Sequence, residues 1–355
     1  MTNPTPLHPD FSDLNSPEPI INHISELLKK GNEEKENKGL FTVKPANSWI
    51  EQAKNRPTPL MLFSEFWFEG ELCILFSDTN LGKSILAVQI ADAISKGAAI
   101  KGFKLGTERQ PVLYFDFELS DKQFEIRYSK DFDQHYVFDD NFLRVEFNPD
   151  APIPDNQNDE DYLNESLERS IIETGAKVLI IDNITYLKSD TEKAKDALPL
   201  MKHLKALKTK HDLSILALAH TPKRDLSKPI TRNDLQGSKM LMSFCDSSFT
   251  IGESHNDKNA RYLKQIKQRN TEQIYDADNV CLCQITKPLN FLQFEFLTFT
   301  SESEHLKQYS EKDKDSIKER VIELNSQGKS LRQIGSELGI SYSKVGRLLK
   351  DRPLL

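Results

Sequence analysis

The sequence predicts an α/β fold, a mostly parallel, doubly wound sheet followed by a small all-helical unit. Three observations predict it. Four apolar runs, "ELCILF", "PVLYFDF", "KVLIID" and "LSILALA", are short and nearly continuous rather than alternating, as strands buried on both faces read. Helical stretches such as "KSILAVQIADAISKG" and "DALPLMKHLKALKTKH" fall between the runs, the alternation that builds parallel sheets. Residues 313–355 carry a separate pattern of three short apolar stripes at helical spacing.

In chain order, residues 1–45 are rich in Pro, Asn, Glu and Lys and read as a flexible arm, with "IINHISELLKK" as an alternative docking helix. Residues 46–300 hold the strands and helices. Within them "DSSFTIG", "ARYLKQIKQR" and "FLQFEFLTF" read as more exposed, antiparallel edge strands. The polar stretch 301–312 reads as a linker.

Composition narrows the class. With 355 residues, 37% hydrophobic and 28% charged, the chain can bury one large core and a satellite, and its net charge of −7 excludes a wholly basic nucleic-acid coat. There is no apolar run of membrane-spanning length and no secretion signal, which points to a cytoplasmic protein with no membrane partner. Cys281 and Cys283 sit two apart, on one face of a strand. With Cys73 and Cys245 they read as core thiols rather than a metal set.

Ligands of a parallel sheet bind beyond the carboxyl ends of its strands. The polar residues ending the four runs are therefore the candidate site. After the first run comes "SDTNLGKS", which matches G-x-x-x-x-G-K-[ST] except that Ser77 stands in the first position. Backbone N–H groups of Ser77, Asp78, Thr79, Asn80, Leu81 and Gly82 and the following helix N-terminus would cradle the phosphates of ATP. Lys83 would reach the β/γ-phosphates, and the Ser84 hydroxyl would ligate Mg²⁺. Asp182 closes "VLIID" in the Walker B manner, as the metal's second protein partner. Glu118 is the candidate general base, with Asp116 as competitor, since period two points both the same way. His220 ends the fourth run and would hydrogen-bond the γ-phosphate. Serine at position 77 is compatible with the loop if it keeps a negative φ on leaving the strand.

The order GKS, "VLYFDFE", "VLIIDN", "LALAHTPKR", "DLQGSKML", "YLKQIKQRN" resembles the RecA-like P-loop ATPases of the RepA type, ring-shaped plasmid replicative helicases, over roughly residues 48–298. The resemblance implies Glu118 as the base, Asp182 as the Walker B acid and His220 as γ-phosphate sensor. It also implies Lys267 and Arg269 as cations inserted into a neighbouring subunit's ATP site, in a homo-oligomer, a hexamer. In similar rings the loop corresponding to 221–239 grips single-stranded DNA, which here involves Lys223, Arg224 and Arg232. A solvated loop is the alternative, and the loop has no aromatic stacking platform.

In the tail, Ile317, Val321 and Leu324, then Leu331, Ile334 and Leu338, then Val345, Leu348 and Leu349 make three stripes, with Gly328 ending the first helix and Ser330 capping the second. "LGIS" supplies the turn of a helix-turn-helix. The last helix offers Ser341, Tyr342, Ser343, Lys344 and Arg347 to a major groove. Ten Lys/Arg against seven Asp/Glu from Glu311 onward suit duplex DNA, although a protein-binding bundle is the alternative. The expectation is an ATP-hydrolysing DNA helicase or translocase serving replication or mobilisation of a genetic element. Its rival is an ATP-dependent DNA-binding regulator that does not unwind.

Overall fold

The computed structural model describes residues 41–148, 150–151, 159–187, 197–222, 224–235, 238–308, 311–338, 340 and 342–350. Lys223, Gly339 and Ser341 lie outside them. The chain divides into two units, Met1–Thr58 and Pro59–Leu355. In the first, helix α1 (Ala46–Lys54) buries none of its residues, and Trp49 and Ile50 are exposed. The strands all lie in the second unit.

The second unit is built on a nine-stranded sheet of β1 (Leu72–Ser77), β2 (Val112–Asp116), β3 (Phe142–Val145), β4 (Val178–Asp182), β5 (Ser214–His220), β6 (Ser247–Glu253), β7 (Ala260–Lys267), β8 (Val280–Thr286) and β9 (Gln293–Thr300). Its spatial order is β9-β8-β7-β6-β1-β5-β4-β2-β3. The six strands from β6 to β3 are parallel, and β7 to β9 extend the sheet as an antiparallel meander. This is the α/β, mostly parallel architecture expected from the runs.

β1, β2 and β4 are buried along their whole lengths, which is why their sequences read as unbroken apolar runs. On one face, α2 (Lys83–Lys96) packs Leu86, Ala87, Ile90 and Ile94 against the sheet. On the other, α4 (Asp159–Thr174) and α5 (Ala197–His211) bring Leu167, Ile171, Met201 and Leu204. At about 1.5–3 kcal/mol per fully buried aliphatic side chain, these faces dominate the folding free energy. A short helix α3 (Asp121–Arg127) follows β2, with Ser120 and Gln123 forming a capping box.

Two expectations change, and one strand was not anticipated. "DSSFTIG" is no exposed edge, because β6 lies parallel to β1, walled in by β7, with six of its seven residues buried. β3 escapes the apolar pattern because it is a four-residue edge strand carrying Arg144. The stretch after Ser301 is not a free linker. Glu302 (1% exposed) accepts from Ile230 N and Tyr262 Oη and pairs with Lys264, His305 accepts from His255 N, and Lys307 N donates to Leu226 O.

The tail folds as α7 (Glu311–Ser326), α8 (Leu331–Leu338) and α9 (Tyr342–Lys350) around Val321, Leu324, Ile334, Ile340 and Val345. Gly328 has φ 78°, and Ser330 accepts from Gln333 N at 3.3 Å while Gln333 Oε1 accepts from Ser330 N. Leu331, expected inside, is 39% exposed. Among the described residues no helix is long and apolar enough to cross a membrane. All four cysteines are free and buried, and among the described residues no group of metal-ligating side chains gathers.

Candidate nucleotide site

Ser77 is the last residue of β1, paired with His220 at the end of β5. Its φ is not positive; the left-handed positions of the loop are Asn80 (φ 63°) and Gly82 (φ 96°). The strand ladder and the Thr221 N–H, which donates to Ser77 O at 3.1 Å, hold Ser77 extended, so no glycine is needed there. Gly82 is different. Besides its positive φ, a Cβ at this position would lie 2.8 Å from Ile285 Cδ1 and 2.9 Å from Phe294 Cε2. The loop therefore rests directly on β8 and β9, and the Gln89 side chain of α2, which both donates to and accepts from the Phe294 backbone, holds that packing.

Lys83 opens α2 and folds back over the loop, donating to Ser77 O (3.1 Å) and Asp78 O (3.1 Å), with His220 Nδ1 at 3.2 Å. Burial lowers its pKa, opposed by the nearby Asp182, Glu118 and Asp78 carboxylates. Asp182 is 1% exposed and takes a 2.7 Å hydrogen bond from Tyr114 Oη across the β2–β4 pair. Burial raises its pKa to about 6, opposed by the neighbouring Ser84 and Tyr114 hydroxyls. Its Oδ1 is buried without a hydrogen-bond partner among the described residues, a costly state for a carboxylate oxygen. A divalent cation between Asp182 and the Ser84 hydroxyl would relieve that cost, so the two residues fit Mg²⁺.

Glu118 lies two residues beyond the end of β2, in an irregular turn, so strand alternation does not aim it. Asp116 shapes that turn: its Oδ1 accepts from Glu118 N (3.2 Å) and Leu119 N (3.0 Å), and its Oδ2 is bound by Arg144 Nε (2.9 Å). Arg144 also pairs with Asp121 and Glu146 and stacks over Phe124. With both oxygens engaged, Asp116 is a scaffold, and the carboxylate facing the loop is Glu118. Glu118 Oε1 accepts from Asn183 Nδ2 and lies 3.6 Å from His220 Nε2. The histidine contact, against partial burial, holds its pKa below the usual carboxylate value.

Asn183 is the residue that sequence reasoning missed. It directly follows the Walker B aspartate, is 2% exposed, and its amide nitrogen reaches both Glu118 and His220 Nε2 (3.0 Å). The only signal was its place in "VLIIDN".

The expected cations separate. Arg224 donates to Lys228 O and lines a cavity of about 250 Å³ with Asp78, Asn80, Thr221 and Arg261, so it stands beside the phosphate loop. Arg232 instead lines a groove of about 820 Å³ together with Lys267. Lys267 Nζ donates to Met242 O (2.5 Å) and Cys245 O (2.6 Å), at the end of α6 (Ser238–Phe244). Arg269, 49% exposed, pairs with Asp246 Oδ1 at 3.0 Å. Asp246 also accepts from Leu72 N, which sets Arg269 level with the start of β1, roughly 17 Å along the strand from the phosphate loop. Neither residue can serve its own chain's loop. In the tail, Tyr342, Ser343 and Arg347 are exposed, while Lys344 lies 3.8 Å from Asp225 of the loop that follows His220.

A phosphate loop, a Ser–Asp pair with an unpaired carboxylate oxygen and a tethered glutamate, all at the carboxyl ends of parallel strands, define a P-loop ATPase domain. The AAA domain family model matches residues 41–225, just over half of the 355, and the chain belongs to that family. No curated protein matches the chain in sequence. Among solved structures, the crystal structure of a KaiC-like protein from the hyperthermophilic archaeon Pyrococcus horikoshii OT3 aligns at 14% identity with a TM-score of 0.44, covering 64% of this chain and 91% of that one.

Proposed function

We propose that the protein is a RepA-like, ATP-hydrolysing oligomer, a hexamer that moves on or unwinds DNA in the replication or mobilisation of a genetic element. The observation carrying this reading is the convergence of Lys83, Asp182, Glu118 and His220 on the end of β1. Bound Mg²⁺, held by Ser84 and Asp182, would neutralise charge on the β- and γ-phosphates. Lys83 exchanges its loop carbonyls for phosphate oxygens, which frees His220 Nδ1 to face the γ-phosphate. The ionised Glu118 carboxylate orients and polarises the attacking water. Arg269, on the far edge of the sheet, supports an arrangement in which each subunit supplies a cation to its neighbour's site. The exposed Tyr342, Ser343 and Arg347 of α9 support duplex DNA as partner of the tail, and Arg232 on its groove is the best placed of the loop cations for a single strand.

A second reading, the ATP-dependent DNA-binding regulator without unwinding, is favoured by one observation. Asp225 sits five residues after the sensor His220 and reaches Lys344 of α9, so the DNA-reading helix is tied to the nucleotide site. ATPase turnover with and without single-stranded DNA, run beside a strand-separation assay, tests both. DNA-stimulated turnover with unwinding is expected; site-specific duplex binding that depends on ATP, without unwinding, selects the regulator.

A further inference from the structure

The side chain of Glu118 has no rigid element to aim it. Its backbone is fixed by Asp116 and by Phe117 N, which donates to Asp182 O at 2.9 Å, but the carboxylate extends from a turn and is about one-third exposed. What holds it is Asn183. The orientation of that amide is decided by its neighbours: Thr185 N donates to Asn183 Oδ1 at 2.8 Å, and the Thr185 hydroxyl donates to the same oxygen. With the oxygen so used, Nδ2 must point to the other side, where the Glu118 carboxylate accepts. His220 lies beside this amide, with Nε2 3.0 Å from Asn183 Nδ2 and 3.6 Å from Glu118 Oε1 and with Nδ1 facing the Lys83 ammonium. Asn183 Nδ2 thus engages one carboxylate oxygen beside the imidazole and leaves Glu118 Oε2 for other work.

We infer that Asn183 is a positioning residue for hydrolysis, which clamps Glu118 Oε1 against His220 so that Oε2 is presented to the attacking water. The inference rests on Glu118 being the base. Asn183 touches neither nucleotide nor water in this scheme and acts only through Glu118. An unclamped glutamate would sample rotamers that withdraw the carboxylate, and misplacement by about 1 Å costs roughly 100-fold in rate.

Asn183→Asp separates this role from packing. It is nearly isosteric and keeps the acceptor for Thr185, but it sets a carboxylate oxygen against Glu118 where a donor stood. Steady-state kinetics, equilibrium binding of a fluorescent ATP analogue and thermal melting are measured on the full chain for Asn183→Asp, Asn183→Ala, Glu118→Gln and the double variant Asn183→Asp/Glu118→Gln. In both Asn183 single variants kcat falls about 10- to 100-fold, while KM and analogue affinity stay within about twofold. The double variant is no slower than Glu118→Gln alone. Wild-type kcat in Asn183→Asp overturns the inference, as does a loss that tracks affinity or melting temperature. If Glu118→Gln itself turns over at the wild-type rate, the base assignment fails, whatever Asn183→Asp does.

Discussion

The two edges of the central sheet differ in kind. At the carboxyl end of β1, Lys83, His220, Asn183 and Glu118 form one chain of contacts, each within hydrogen-bond reach of the next. At the amino end, Arg269 lies exposed beside Asp246, and Lys267 is spent on the carbonyls that close α6. The first edge gathers the groups for hydrolysis, with Lys83 in the loop and Arg224 beside it. The second offers a further cation, Arg269, where its own chain cannot use it. The phosphate loop and Arg269 thus stand at opposite ends of the strands, the arrangement that the proposed ring of identical subunits would use.

The contrast can be broken most severely at the first edge. Lys83→Ala and Glu118→Gln should each lower kcat by about 10²–10⁴ in a steady-state ATPase assay, with the glutamine variant still binding nucleotide. Comparable loss of nucleotide affinity in Glu118→Gln would place Glu118 in binding rather than chemistry.

A pH experiment sharpens the metal half of the site. The pKa of Asp182 is raised to about 6 in the folded chain, so its contribution to stability is fully present below the unfolded carboxylate value and is lost as pH rises through about 6. The ligand-free protein should therefore lose this contribution between pH 4 and pH 6. Mg²⁺ with ATP needs the ionised form. At 100 times Kd it should raise the melting temperature by about 5–10 °C at pH 7.5 and by less at pH 5. An equal rise at both pH values, or an unchanged rise in Asp182→Asn, would remove Asp182 from the metal site.

The smallest effects belong to the tail. Arg347→Ala should weaken duplex DNA binding by about 1–3 kcal/mol in a fluorescence anisotropy titration at fixed salt, leaving basal ATPase activity unchanged. Asp225→Asn, which releases Lys344, should tighten duplex binding about two- to fivefold, in line with a partly exposed ion pair. Identical affinities for Asp225→Asn and the wild type would show that α9 is not restrained by the loop.

Much of the fold was legible because burial on both faces leaves a plain trace. "ELCILF", "VLYFD", "VLIID" and "SILALA" are β1, β2, β4 and β5, and the phosphate loop stands where strand meets helix. β3 was not legible, since a short edge strand with a central arginine lacks that trace. β6 was misread because its serines and threonine are buried by pairing on both sides. Thr250 Oγ1, for example, donates to Phe76 O at 2.8 Å. In the site, the strand-end rule led to Asp182 and His220, which are sheet residues, whereas the aim of Glu118 and the role of Asn183 depend on turns after β2 and β4. Turn geometry has no period from which to read it. The scatter of Arg224 and Arg232 has the same origin, since Glu302 and the Thr231–Asp234 capping box, not charge pattern, fix the path of that loop.

Mixing two dead variants tests the two-edge account most directly. Lys83→Ala lacks a working phosphate loop but keeps Arg269; Arg269→Ala keeps the loop but lacks the cation. Assembled together, they should recover a fraction of wild-type ATPase activity that neither shows alone and that peaks near equal proportions. If activity never exceeds the sum of the separate variants, or if Arg269→Ala alone turns over at the wild-type rate, the far edge does not complete a neighbour's site.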